Sequence, residues 1–191
     1  QRQMCIRDRY RKVYLVVKEP VSIARHGVFV STPEIAGRQA SVKVQVELDN
    51  LSGKTRQVTV AVRLLSPAGK PVAKGDAGMQ LKGICATSTM MLNVSEPQLW
   101  STETPDLYTA EVTVKHAGNV LDRISERFGI RTIEWKPEQG MLLNGKRVKF
   151  HGVNVHHSFG ALGAANYEAA IEKRFKVCLL YTSPSPRDAT L

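Results

Sequence analysis

The stretch SVKVQVELDN at residues 41–50 constrains the fold more than any other. Val42, Val44, Val46 and Leu48 fall on one side of an extended chain, and Lys43, Gln45 and Glu47 fall on the other. Successive side chains of a strand point to opposite faces, so this alternation describes a strand with one face in a core and one in water. QVTVAVRLLS repeats the pattern with Val58, Val60, Val62 and Leu64. The turn sequence NLSG separates the two, and together they predict an antiparallel hairpin with one wet face.

Period-two runs fill most of the chain. Val13, Leu15 and Val17 alternate in a short run that ends at Pro20, and a second run over 21–31 is closed by Thr32 and Pro33. The turn PAGK at 67–70 leads into a weaker strand over 71–82, followed by a strand over 86–94 in which Met90 and Leu92 alternate with Met91 and Asn93. LYTAEVTVK places Tyr108, Ala110, Val112 and Val114 on one face, and HAGN at 116–119 turns the chain back into VLDRISERFGIRTIEW. Short strands with turn signals roughly every 8–12 residues predict an immunoglobulin-like β-sandwich, here over 21–135. The cysteine pair of antibody domains has no counterpart, so the expectation concerns architecture alone.

The pattern changes after Trp135. Residues 137–140 read as a linker. MLLNGKRVKF reads as a hairpin around Asn144 and Gly145, since an Asn-Gly pair suits a two-residue turn that needs positive φ at both positions. FHGVNV at 150–155 is more continuously apolar, as in a strand covered on both sides. A small-residue loop over 158–165 precedes ANYEAAIEKRFKV, where Asn166 suits a helix cap and Ala170, Ile171, Arg174 and Phe175 share a face. Hairpin, covered strand, loop and helix are the order in which a β/α barrel begins. The expected fold is therefore an all-β immunoglobulin-like β-sandwich followed by the first β/α unit of a truncated TIM barrel.

Composition narrows the function. Hydrophobic residues make up 42% and charged residues 23%, as in ordinary globular proteins, and no stretch of 18 apolar residues is present to span a membrane. The formal charge of +10 raises nucleic-acid binding as one reading. Against it, the basic residues are dispersed, the densest group (Lys146, Arg147 and Lys149) flanks a turn, and aromatics for base stacking are only 6%. The cysteines Cys5, Cys85 and Cys178 offer neither a pairing framework nor a CxxC spacing, so they define no redox compartment. QRQMCIRDR at 1–9 and CLLYTSPSPRDATL at 178–191 resemble read-through of sequencing adaptors, and both are expected to be foreign to the fold.

Four segments in register carry a resemblance. RYRKVYLVVKEP at 9–20, PQLWSTETPDLY at 97–108, ERFGIRTIEW at 126–135 and MLLNGKRVKFHGVNVHHSFGALGAA at 141–165 resemble, in order and spacing, family 2 glycoside hydrolases. The resemblance implies that 10–20 end a sugar-binding jelly-roll domain, 21–135 form the sandwich and 136–177 open the catalytic barrel. The pattern His-His-x-x-Gly-Ala-Leu-Gly is similar to β-galactosidase-like members, with Ser158 and Phe159 standing where an Asp-containing loop is more usual.

The chemistry implied is retaining hydrolysis of terminal β-linked sugars. It needs two carboxyl groups about 5–5.5 Å apart, one protonating the leaving oxygen and one attacking the anomeric carbon. The resemblance places both glutamates beyond Val177, so the chain carries no catalytic residue and is expected to be inactive alone. Glu168 and Glu172, four apart on a helix, read as solvated charges on the outer side of a barrel, and Glu134 and Glu138 flank the linker. The candidate substrate contacts are His156, His157 and Asn154, at the end of the first barrel strand where substrates bind. The resemblance gives His156 the role of lining the sugar subsite; a histidine packed under the loop is the competing reading, and Asn154 suits bracing that loop. Adjacent histidines point to opposite faces of a strand and no third ligand has metal-site spacing, so no metal is expected, and no organic cofactor. Trp100 reads as packing at a sandwich edge and Trp135 as anchoring the linker. Two alternatives stand beside a β-galactosidase: a β-glucuronidase or β-mannosidase relative, and a non-catalytic sandwich that binds carbohydrate or protein.

Overall fold

The computed structural model describes residues 14–149, 163 and 167–180. The chain divides into two units, Val17–Phe150 and a second formed by Gln1–Val16 with His151–Leu191.

The first unit holds two antiparallel sheets. One is three-stranded, in the order β1 (Val21–Ala36), β2 (Gln39–Asn50), β5 (Cys85–Ser95). The other is four-stranded, in the order β4 (Pro71–Leu81), β3 (Arg56–Leu65), β6 (Tyr108–His116), β7 (Asn119–Phe128). The inward sets are those the alternation marks: Val42, Val44, Val46 and Leu48 from β2, Val58, Val60, Val62 and Leu64 from β3, and Tyr108, Ala110, Val112 and Val114 from β6 are all buried in one core. β-Branched residues dominate because they fit the pleated inner surface with little rotamer freedom to lose. In β5, Met90 and Leu92 face this core while Met91 is exposed. The sheet assignment differs from the antibody constant domain in one respect: the fourth strand pairs with the third rather than joining the sheet of the first, second and fifth.

The predicted pairing of β2 with β3 is not what forms. β2 pairs with β1 and β5, and β3 pairs with β4 and β6, so the two strands lie in opposite sheets. Each has one buried face, and that property serves equally for neighbours in one sheet or for strands facing across a core. The connection decides it. Asn50 is buried, donates from Nδ2 to the carbonyls of Lys54 and Gly83 at 3.0 and 3.2 Å, and accepts at Oδ1 from the Ser52 hydroxyl at 2.6 Å. These bonds bend the chain from one sheet into the other and tie the bend to the β4–β5 crossover.

β1 runs through Thr32 and Pro33, where an end was expected. Its register shifts between Ser31 and Glu34, around the proline, and again between Ile23 and Val28. As an edge strand, β1 tolerates a residue that cannot donate to the ladder. Residues 14–19 form no strand: Tyr14 is 73% and Leu15 92% exposed, and no described strand pairs with them. Alternation alone does not make a strand where the ladder lacks a neighbour.

Tyr108, the first residue of β6, is buried, lies 5.8 Å from the Phe128 ring between centroids, and accepts the Gln98 N–H at its hydroxyl at 2.8 Å. This is the arrangement of the tyrosine corner of immunoglobulin-like sandwiches. Ala110, two residues on, is fully buried at the position of an antibody-domain cysteine. Tyr108→Phe is expected to cost about 1 kcal/mol, the net worth of one such bond. Urea unfolding of the two proteins measures it, and an unchanged midpoint would show that the corner contributes nothing.

After β7 the chain builds a small sheet in the order β10 (Lys146–Arg147), β9 (Gly140–Leu143), β8 (Ile133–Lys136). Residues 137–139 are therefore the turn of a β8–β9 hairpin, and Gly140 opens β9 opposite Lys136, where a linker over 137–140 was expected. The Asn144–Gly145 turn joins β9 to β10 with φ of 51° and 75°, as its sequence predicts. In the second unit, α1 (Glu168–Leu180) carries an acidic residue in its first turn and a Glu172–Lys176 ion pair one turn apart at 2.7 Å. The barrel strand expected at 150–155 and the cap Asn166 lie outside the described residues.

Candidate functional site

The three candidate substrate contacts, Asn154, His156 and His157, lie outside the described residues. What is described is the ground from which their segment departs: the small sheet and the end of the sandwich it adjoins.

Three stretches converge there. The β5–β6 connection brings Trp100, the segment after β7 brings residues 129–132, and the β9–β10 turn brings Asn144. The backbone N–H of Trp100 donates to the Ile130 carbonyl at 2.9 Å, and the Arg131 guanidinium lies 4.9 Å from the centre of the Trp100 ring. A cation over an indole face is held by the ring quadrupole. A Cβ on Gly129 would stand 2.8 Å from Cβ and Cγ of Trp100, so only glycine lets the backbone come this close. Trp100 is thus packed at the sandwich edge, as its sequence reading holds. Trp135 does not anchor this region: it is 70% exposed on β8.

Glu134 is bonded to Lys136 at 3.5 Å, and Glu138, Glu168 and Glu172 are exposed. Among the described residues, no group of three or more His, Cys, Asp or Glu is placed to hold a metal ion. No described helix is long and apolar enough to cross a membrane.

The outer face of the four-stranded sheet carries a depression of about 410 Å3 lined by Ala61, Arg63, Lys74, Asp76, Glu111 and Arg123, among others. Its size is that of a small-ligand pocket. Its chemistry is that of a solvated face: Arg63 is paired with Glu111 at 2.5 Å and no aromatic ring lines it. Lys146, Arg147 and Lys149 are exposed beside the Asn144–Gly145 turn, a charged hairpin edge in water.

Sequence reasoning gave Asn144 only a turn role and found no partner for Trp100. The signal available was an asparagine, rather than a second glycine, at the first turn position, which leaves a carboxamide to be bonded.

Comparison with known proteins fits this architecture. The sequence profile of Glycosyl hydrolases family 2 matches residues 23–131, more than half of the chain and nearly all of the sandwich. The chain belongs to this family. A β-galactosidase of Bacteroides ovatus is 34% identical over 169 residues, covering 88% of this chain and 20% of its own length. A β-glucuronidase of Bacteroides fragilis is 27% identical, covering 82% of this chain and 23% of its own length. The crystal structure of a family 2 member from Bacteroides cellulosilyticus superposes with a TM-score of 0.79 at 30% identity, over 85% of this chain and 23% of that one. The chain therefore spans about a fifth of the length of the relatives it matches.

Proposed function

We propose that the chain is part of a retaining, exo-acting β-glycosidase of the β-galactosidase type, contributing the spacer sandwich and one wall of the sugar pocket. The observation that carries this is the 34% identity to a β-galactosidase across 88% of the chain, running beyond the sandwich into the His-bearing segment. Residues 136–177 are assigned to the opening of a TIM barrel, supported by the helix α1 that follows the His156 segment. His156 then lines the sugar subsite, where its imidazole hydrogen-bonds a hydroxyl; His157 stands beside it and Asn154 braces the loop. The acid and the nucleophile belong to later barrel strands, outside this chain, and the reaction is double displacement through a covalent glycosyl-enzyme. A β-glucuronidase is the second reading, favoured by the similarity to the Bacteroides fragilis enzyme.

The test has two arms. Purified 191-residue chain is expected to give no hydrolysis of nitrophenyl β-galactoside. A protein carrying this chain together with the full barrel is expected to hydrolyse it, with the nitrophenyl β-glucuronide much slower. The reverse order of substrates favours the second reading, and turnover by the chain alone sinks the assignment of the catalytic carboxylates.

A further inference from the structure

Asn144, in the β9–β10 turn, is bonded through its side chain to both of the other converging stretches. With φ at 51° it sits where asparagine and glycine are the residues that fit readily. Glycine would serve the turn alone, so what distinguishes asparagine is its carboxamide. Oδ1 accepts the Thr132 N–H at 3.0 Å, Nδ2 donates to the Trp100 carbonyl at 3.0 Å, and the backbone N–H of Asn144 donates to the Thr132 carbonyl at 3.0 Å. The Thr32 hydroxyl donates to the Arg131 carbonyl at 3.0 Å, which fastens the same segment to β1.

We propose that Asn144 is a positioning residue that locks the small sheet to the end of the sandwich. Three features carry this. The carboxamide is used at both ends, and the groups it binds come from segments far apart in sequence. The turn that presents it is also held by a backbone bond, from the Asn144 N–H to the Thr132 carbonyl. The lock does not rest on the proposed function.

Amide hydrogen exchange on the full 191-residue chain, compared among wild type, Asn144→Gly and Asn144→Asp, tests it. Asn144→Gly preserves the turn and its backbone bond and removes the two carboxamide bonds. Exchange at the Thr132 N–H is expected to rise about tenfold, the equivalent of one bond of roughly 1.4 kcal/mol, while the Val60 and Val112 amides hold their protection. Asn144→Asp still offers an acceptor to Thr132 and is expected to restore its protection to within about threefold of wild type, a rescue that a mere turn-former would not give. The proposal is overturned if Thr132 exchanges equally in wild type and Asn144→Gly, if the Asp variant protects no better than the Gly variant, or if the core amides speed up by the same factor. Hydrolysis is read separately: a complete protein inactive on β-glycosides removes the proposed function and leaves the exchange result to decide the lock.

Discussion

Leu64→Ala is expected to destabilise the sandwich by roughly 3 kcal/mol, which at an m-value of about 2 kcal/mol/M lowers the urea midpoint by about 1.5 M. Leu64 is fully buried in β3, between β4 and β6. Directly opposite it on the two neighbouring strands stand Ala73 and Ala110. Neither can extend into the vacated volume, so the cavity persists and its cost adds to the lost transfer energy. Leu51, 72% exposed in the β2–β3 connection, is the matched control, and its alanine variant is expected to stay within about 0.5 kcal/mol of wild type. Equal midpoints for the two variants would contradict the placement of Leu64 in the core.

Gly27→Ala has the second largest expected effect, about 2 kcal/mol, because the obstruction is backbone. An added Cβ would lie 2.8 Å from the Glu47 carbonyl oxygen and 2.9 Å from both Cβ and the carbonyl oxygen of Ala24. Gly27 sits in the irregular stretch between Ile23 and Val28, where β1 crowds β2, so relief requires the two strands to separate. Gly75→Ala also meets a heavy atom at 2.8 Å, but that atom is the Cδ2 of Leu92, the free end of a side chain that can turn aside. The expected order of urea midpoints is wild type, then Gly75→Ala, then Gly27→Ala. A Gly27→Ala protein as stable as wild type would mean that the bulge relaxes at no cost.

What the sequence discloses here is local. Val42 to Leu48 and Tyr108 to Val114 announce strands and their inner faces through period two, and Asn144 and Gly145 announce a turn through the φ values they tolerate. Pairing is not local. The β2–β3 connection looks like a hairpin turn until Asn50 is seen bonded to Lys54 and Gly83, and the second of those partners comes from a different connection. The turn at 137–139 reads as a linker because the flanking β8 and β9 are only four residues each, too short for alternation to register. At 14–17 the residues alternate as in a strand, and no described strand pairs with them. Of the candidate site, motif resemblance supplies His156, His157 and Asn154. Asn144 escaped because its bonds reach Trp100 and Thr132, which no spacing rule connects.

The separation of β2 and β3 into opposite sheets also governs how fast this sandwich can assemble. Within the two sandwich sheets, the β1–β2, β3–β4 and β6–β7 ladders close short loops. The central ladders require Val46 to find Ser88 and Val62 to find Val112, each across a long stretch of chain. Loop-closure entropy must be met before those pairings return any stability, so folding belongs to the slow range of about milliseconds to seconds typical of sandwiches. Until those ladders close, the valines of β2 and β3 lack the cover they have in the folded core.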